Sequence, residues 1–220
     1  MPENPIHPPN QSATIAYRIR DSLYLNITNR CSNICTFCPK FQDYTLRGND
    51  LMLACEPAFE EVMAAVGEPE GTDELVFCGF GESLLRLELV TRLARELKRR
   101  NNYRIRINTD GQANLVHGRD ILPELTGLVD CISVSMNAPD AATYQHLCNT
   151  PFGTEGFSSV CDFIREAKKY IPQVIASVVS VPGVDLDACR ALAESLGASF
   201  RIREYSGEGI QTGSTDTRLS

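Results

Sequence analysis

Cys31, Cys35 and Cys38 stand within eight residues of one another, in the segment NRCSNICTFCPK. Three thiolates at C-x3-C-x2-C spacing on one compact loop can each bind one iron of a cubane [4Fe–4S] cluster and leave the fourth iron without a protein ligand. A structural zinc ion takes four protein ligands. No fourth cysteine or histidine lies nearby in sequence: His7, His117 and His146 are remote along the chain, although folding could bring any of them close. A non-catalytic zinc- or iron–sulfur-binding regulatory protein therefore stands as the alternative.

The chain has nine cysteines in 220 residues. An odd number, with no export signal in the proline-rich start MPENPIHPPNQSA, argues against a disulfide framework and for a cytoplasmic setting. Cys55, Cys78, Cys131, Cys148, Cys161 and Cys189 are scattered in mostly apolar surroundings and read as small core hydrophobes. A net charge of −7 gives no nucleic-acid footprint and leaves a small-molecule or peptide substrate open. No apolar run approaches the roughly 18 residues needed to span a membrane.

The elements that must position the cysteine loop follow a repeating rhythm. Residues 22–28, 74–81, 103–111, 131–137, 174–181 and 199–205 are short apolar, β-rich runs that close on breakers. Between them, residues 56–67, 84–101, 140–148, 157–170 and 185–197 carry helical periodicity, with Leu85, Leu89, Leu93 and Leu97 on one stripe of the longest. Alternating strands and helices imply right-handed βαβ units and a parallel sheet. Six repeats in about 180 residues are too few for a closed eight-stranded barrel. The expected fold is thus α/β, an open, partial (β/α)6 TIM-like barrel with parallel strands. Its core is residues 22–205, preceded by an arm (1–21) in which Ile15, Tyr17 and Ile19 suit an edge strand, and followed by a disordered Gly/Ser/Thr-rich tail (206–220). Functional groups gather at the C-terminal strand ends of such sheets.

The cysteine loop after the first strand, Phe37 just before the third cysteine, and GFGES after the second strand together resemble the radical S-adenosylmethionine (radical SAM) superfamily. LYLNITNRCSNICTFCPK is similar, more narrowly, to its TatD-associated branch. The resemblance implies a [4Fe–4S] cluster on Cys31, Cys35 and Cys38 whose open iron is chelated by S-adenosylmethionine. It further implies reductive cleavage to a 5′-deoxyadenosyl radical and hydrogen abstraction from a substrate it does not identify. Gly79, Phe80, Gly81 and Glu82 occupy the place of the family's GGEP motif, where backbone approaches the ligand and Glu82 meets the methionine ammonium. Phe80 between the glycines and Ser83 in place of proline depart from that pattern, and a plain strand-to-helix turn capped by Ser83 is the competing reading. By the same resemblance Asn108, Thr109, Ser135 and Asn137 hydrogen-bond the ribose and methionine carboxylate. A backbone group near Phe37 pairs with adenine in an apolar slot shaped by Phe37 and Val179. A flavodoxin or ferredoxin is the implied electron donor, and a TatD-type nuclease an implied associate. Arg201 and Arg203 share one side of the last strand by alternation. If that side is inward they form an anion-binding wall; if outward, they and Glu204 are solvated edge charges.

Overall fold

The computed structural model describes residues 13–205; the first part of the N-terminal arm and the C-terminal tail lie outside the described residues. The chain runs β1 (Ala16–Ile19), β2 (Ser22–Leu25), β3 (Thr45–Leu46), β4 (Asn49–Asp50), α1 (Phe59–Val66), β5 (Glu74–Phe77), α2 (Leu87–Asn101), β6 (Arg104–Thr109), α3 (Ala113–His117), β7 (Cys131–Ser135), α4 (Ala141–Cys148), α5 (Thr154–Ala167), β8 (Gln173–Val179), α6 (Leu186–Ser195) and β9 (Ser199–Arg203). Seven strands form one sheet in the order β1-β2-β5-β6-β7-β8-β9. The last six pair in parallel and β1 lies antiparallel on β2. Parallel neighbours in chain order, with helices in the connections, are the expected (β/α)6 architecture. Its two edges, β1 and β9, do not meet, so the barrel is open.

Strand alternation gives the sheet two different faces. Leu25, Phe77, Ile107 and Ile132 are joined across β2, β5, β6 and β7 by register. They are shielded from solvent and join Val134, Ala176 and Val178 in one apolar cluster with Leu93 and Leu97 of α2 and Phe163 of α5. The opposite face presents Tyr24, Arg106, Ser133, Ser177 and Arg201 to a polar space inside the curve of the sheet. The apolar face holds the layers together; deleting one of its large side chains costs about 2–5 kcal/mol.

Helix ends follow their sequence signals. Asp140 and Asp185 accept from the backbone N–H of Thr143 and Ala188, capping α4 and α6. α2 closes on Asn102 and α4 on Asn149, both in the left-handed region that asparagine tolerates. Three details depart from expectation. The buried stripe of α2 is Leu87, Val90, Leu93, Ala94 and Leu97, with Leu85 and Leu89 only half-buried at its flank. The β3–β4 hairpin, turned by Arg47 and Gly48 at positive φ, and the short α3 lack a hydrophobic period long enough to read. The first two parallel strands stop at Leu25 and Phe77, earlier than their apolar runs, because the chain leaves the ladder there to build the site.

Candidate active site

Cys31, Cys35 and Cys38 occupy the loop that leaves β2, and backbone bonds to two neighbouring elements hold that loop. The N–H groups of Ile34 and Thr36 donate to the carbonyls of Cys148 and Leu147 (3.1 and 2.8 Å), so the loop caps the end of α4, whose last carbonyls have no partner inside the helix. The Glu82 N–H donates to the Arg30 carbonyl (2.8 Å). Beneath the loop, Gln112 Nε2 donates to Asn33 Oδ1 (2.7 Å), Asn33 Nδ2 donates to the Tyr144 hydroxyl (3.2 Å), and the Thr150 hydroxyl donates to Gln112 Oε1. Asn33, Gln112, Tyr144 and Thr150 are all buried. Nothing in the local sequence of Asn33 announces this bond, which depends on contacts with chain more than 70 residues away.

The two glycines expected to admit a ligand make room first for the protein itself. A Cβ on Gly81 would stand 2.2 Å from the Thr28 carbonyl oxygen and 2.6 Å from that of Arg30; on Gly79 it would stand 2.2 Å from Asn26 Oδ1. The loop leaving β5 is thus laid directly on the cysteine loop, which only glycine permits. Glu82, not Ser83, caps the turn that follows, accepting from the Leu84 N–H (2.9 Å). The same carboxylate accepts from the Thr109 hydroxyl on Oε1 (3.0 Å) and the Asp110 N–H on Oε2 (2.6 Å), tying β5 to β6 and leaving acceptor capacity on Oε2. Asp110 accepts from the Ser32 hydroxyl and the Gln112 N–H. Burial, then the charge of Asp110, raises the Glu82 carboxyl well above the usual carboxylate range, and burial raises Asp110 in turn.

These elements enclose a cavity of about 340 Å³ at the C-terminal ends of the strands. Its walls include all three loop cysteines, Phe37, Gly79, Gly81, Glu82, Asn108, Thr109, Ser135, Asn137 and Val179, so every residue singled out for a cofactor reaches the same space. Several are already engaged. The Thr109 hydroxyl also accepts from the Gly111 N–H (3.1 Å), Asn108 Oδ1 accepts from Arg106 (2.8 Å), and Asn137, at φ 58°, donates to Cys148 Sγ (3.7 Å). Ser135 Oγ accepts from Arg203 Nη2 (3.2 Å). Arg203 and Glu204 line the same cavity, and Arg201 and Arg203 line the polar interior beside it, so the side of β9 that the two arginines share is the inward one.

Sequence reading passed over Asn33 and Asp110 as site residues, took Phe80 only as a departure from the glycine motif, and read Cys78 and Cys148 as core. Phe80 lines the cavity and stands edge-on to Tyr44, ring centroids 5.8 Å apart. Cys78 forms part of the cavity wall, and fully buried Cys148 lies against Cys35. The sequence places both in the general core; their positions at the end of β5 and of α4 are the signal that could have found them. Cys55 is exposed, not packed in apolar surroundings.

The donor set suits a group that takes thiolates. Burial pushes the Cys31 and Cys38 thiols up, and Cys35 rises through its bond with Cys148 and through burial. A cationic iron centre held by these three sulfurs would displace their protons on coordination.

No curated protein matches the sequence. Solved structures share its fold at low identity: anSMEcpe with bound AdoMet (17% identity, TM-score 0.60, covering 83% of this chain and 49% of that one); methylornithine synthase (PylB) (14%, 0.58, 90% and 58%); and a radical SAM methyltransferase from Sphaerobacter thermophilus (14%, 0.57, 86% and 68%). The chain therefore spans about half to two thirds of the length of these structures. The family model of the Radical SAM superfamily matches residues 25–196, from the end of β2 to the end of α6, and with that match over most of its length the chain belongs to the radical SAM superfamily.

Proposed function

We propose that this chain is a radical SAM enzyme that holds one [4Fe–4S] cluster on Cys31, Cys35 and Cys38 and binds S-adenosylmethionine against Phe37, Gly79, Gly81, Glu82, Asn108, Thr109, Ser135 and Asn137. The observation that carries the reading is the convergence of the three thiols and these eight residues, from three strand ends and the cysteine loop, on a single cavity. When bound, the cluster supplies the electron that cleaves the sulfonium C–S bond and gives the 5′-deoxyadenosyl radical for hydrogen abstraction.

The residues around it have separate tasks. The contacts of Asn33 and Glu82 hold the cysteine loop, so its thiols are presented at fixed positions. Glu82 offers the remaining acceptor capacity of its Oε2 to the methionine ammonium. Phe37 and Val179 supply the apolar surface for the adenine. Ser135 and Asn137 bring hydroxyl and amide groups to the rim, and the packed strand ends limit the access of water to the reacting atoms. The substrate is a small molecule or peptide, and the electron donor a flavodoxin or ferredoxin. The setting is cytoplasmic, where thiols stay reduced; association with a TatD-type nuclease belongs to the same reading. No helix among the described residues is long and apolar enough to cross a membrane.

Anaerobic reconstitution tests the proposal. The chain is expected to take up about four iron and four sulfide and, with S-adenosylmethionine and a strong reductant, to release 5′-deoxyadenosine. Replacement of any of the three cysteines by serine removes both results. One zinc per chain with no iron uptake, or a loaded cluster that is inert toward S-adenosylmethionine under reduction, overturns it.

A further inference from the structure

The cavity that meets the cysteines continues into a smaller space of about 130 Å³ inside the curve of the sheet, and Asn108, Ser135 and Arg203 line both. Three guanidinium groups face this smaller space. Arg106 is neutralised there by Glu74, with Nε 2.7 Å from Oε2. Arg201 and Arg203 form no ion pair among the described residues, and the bonds of Arg203 are to the neutral acceptors Ser135 Oγ (3.2 Å) and Asn137 Oδ1 (3.4 Å).

Arg203 lies on an exposed edge strand, yet its guanidinium reaches inward to Ser135 and Asn137 at the cavity wall, beside Arg201 in the same polar space. The carboxyls on the opposite wall do not offset these charges. Glu82 and Asp110 accept from their own donors and form no ion pair with either arginine among the described residues. Glu204 at the rim is exposed. Two guanidinium groups side by side without an acidic partner repel one another until an anion completes them, and the fork of donors fits an oxyanion in bidentate fashion.

We infer that Arg203 and Arg201 form an oxyanion subsite for the substrate, so that the molecule acted on carries a carboxylate or phosphate group anchored inside the sheet, with its reacting carbon toward the cysteine loop. The inference rests on the proposed function for the identity of the bound molecule as a substrate. The subsite itself requires only the fold.

The test is equilibrium dialysis of radiolabelled inorganic phosphate against the cluster-loaded protein saturated with S-adenosylmethionine, repeated with cluster-free protein. Wild type is expected to bind phosphate in both forms. Arg203→Gln and Arg201→Gln each weaken it by at least about tenfold, the loss of a charge-assisted bond. Arg203→Lys restores only part of the affinity because the ammonium lacks the fork. Arg165→Gln, which breaks an exposed pair with Asp162 on α5, leaves phosphate binding unchanged. S-adenosylmethionine binding, measured by filtration on the same proteins, is expected to stay within about twofold in Arg201→Gln, because its ligand is a separate anion. Unchanged phosphate binding in both glutamine variants overturns the inference. So does competition between phosphate and S-adenosylmethionine, with loss of the latter in Arg201→Gln, since the arginines would then hold the methionine carboxylate. If Arg203→Gln fails to fold, Arg201→Gln carries the comparison. Failure to load iron or cleave S-adenosylmethionine would sink the proposed function alone, because phosphate binding by cluster-free protein still reports the subsite.

Discussion

The wall that carries the cysteines and the wall that carries Arg201 and Arg203 face one cavity and are built differently. The cysteine wall is saturated with internal partners. Its backbone is bonded to the end of α4 and to the β5 loop, Gly81 is pressed onto it with no room for a Cβ, and Asn33 is buried in an amide and hydroxyl network. The β9 wall is the exposed edge of an open sheet, and its two inward cations lack acidic partners among the described residues. The difference follows from what each wall meets. A cofactor bound in every turnover is served by a loop fixed in advance, whereas a molecule that comes and goes is served by charges left for it to satisfy.

The sharpest way to break this contrast is Gly81→Ala. A side chain meeting two backbone carbonyls cannot be relieved by rotamer change, so the loops must separate. Unfolding free energy is expected to fall by about 3 kcal/mol and iron uptake to fall with it, read by denaturant titration and iron analysis. A fully loaded, undiminished Gly81→Ala protein would mean that the cysteine wall is not rigid.

Asn33→Ala comes next. It leaves Gln112 short of an acceptor in a buried place, at a cost of about 2 kcal/mol, and the cluster should be lost more readily to a chelator than in wild type. A chelation rate equal to wild type would remove Asn33 from the positioning of the loop.

Cys131 lies buried at the start of β7, the strand end remote from the cavity, and burial pushes its thiol up to about 11. A folded-state pKa above the unfolded one contributes stability that is complete below the ordinary cysteine range and lost as pH rises through about 11. Cys131→Ala should therefore lessen the alkaline fall in unfolding free energy, between about pH 8 and about pH 11, by on the order of 1–2 kcal/mol. An identical alkaline slope in the variant would contradict the shift.

The smallest effect belongs to the open wall. Arg201→Gln is expected to change unfolding free energy by less than about 0.5 kcal/mol and to leave iron content unchanged. A large destabilisation would show that the β9 wall, too, is an internal brace.

Local periodicity made much of this legible. The strand and helix rhythm pointed to an open parallel sheet because period 2 and period 3.6 are short-range properties of the chain. The cysteine spacing was equally local. Other assignments depended on contacts distant in sequence. Gly79 and Gly81 looked like ligand-facing glycines, but their first constraint is the crossing of the loops after β2 and β5. Cys78 and Cys148 read as core residues because a single side chain carries no sign of the cavity it borders. The stripe of α2 shifted from Leu85 and Leu89 toward Val90 and Ala94 because the sheet beneath it, rather than the helix alone, decides which face is covered.

By itself, then, the sequence determined the class of fold, the three thiols and the strand ends at which chemistry gathers, since each is written in spacing along the chain. Only the tertiary structure decided which way Arg201 and Arg203 face, that Glu82 and Thr109 clasp β5 to β6, and that Asn33 anchors the cysteine loop. Those outcomes depend on the curvature of the sheet and on partners tens of residues apart, and no local pattern encodes them.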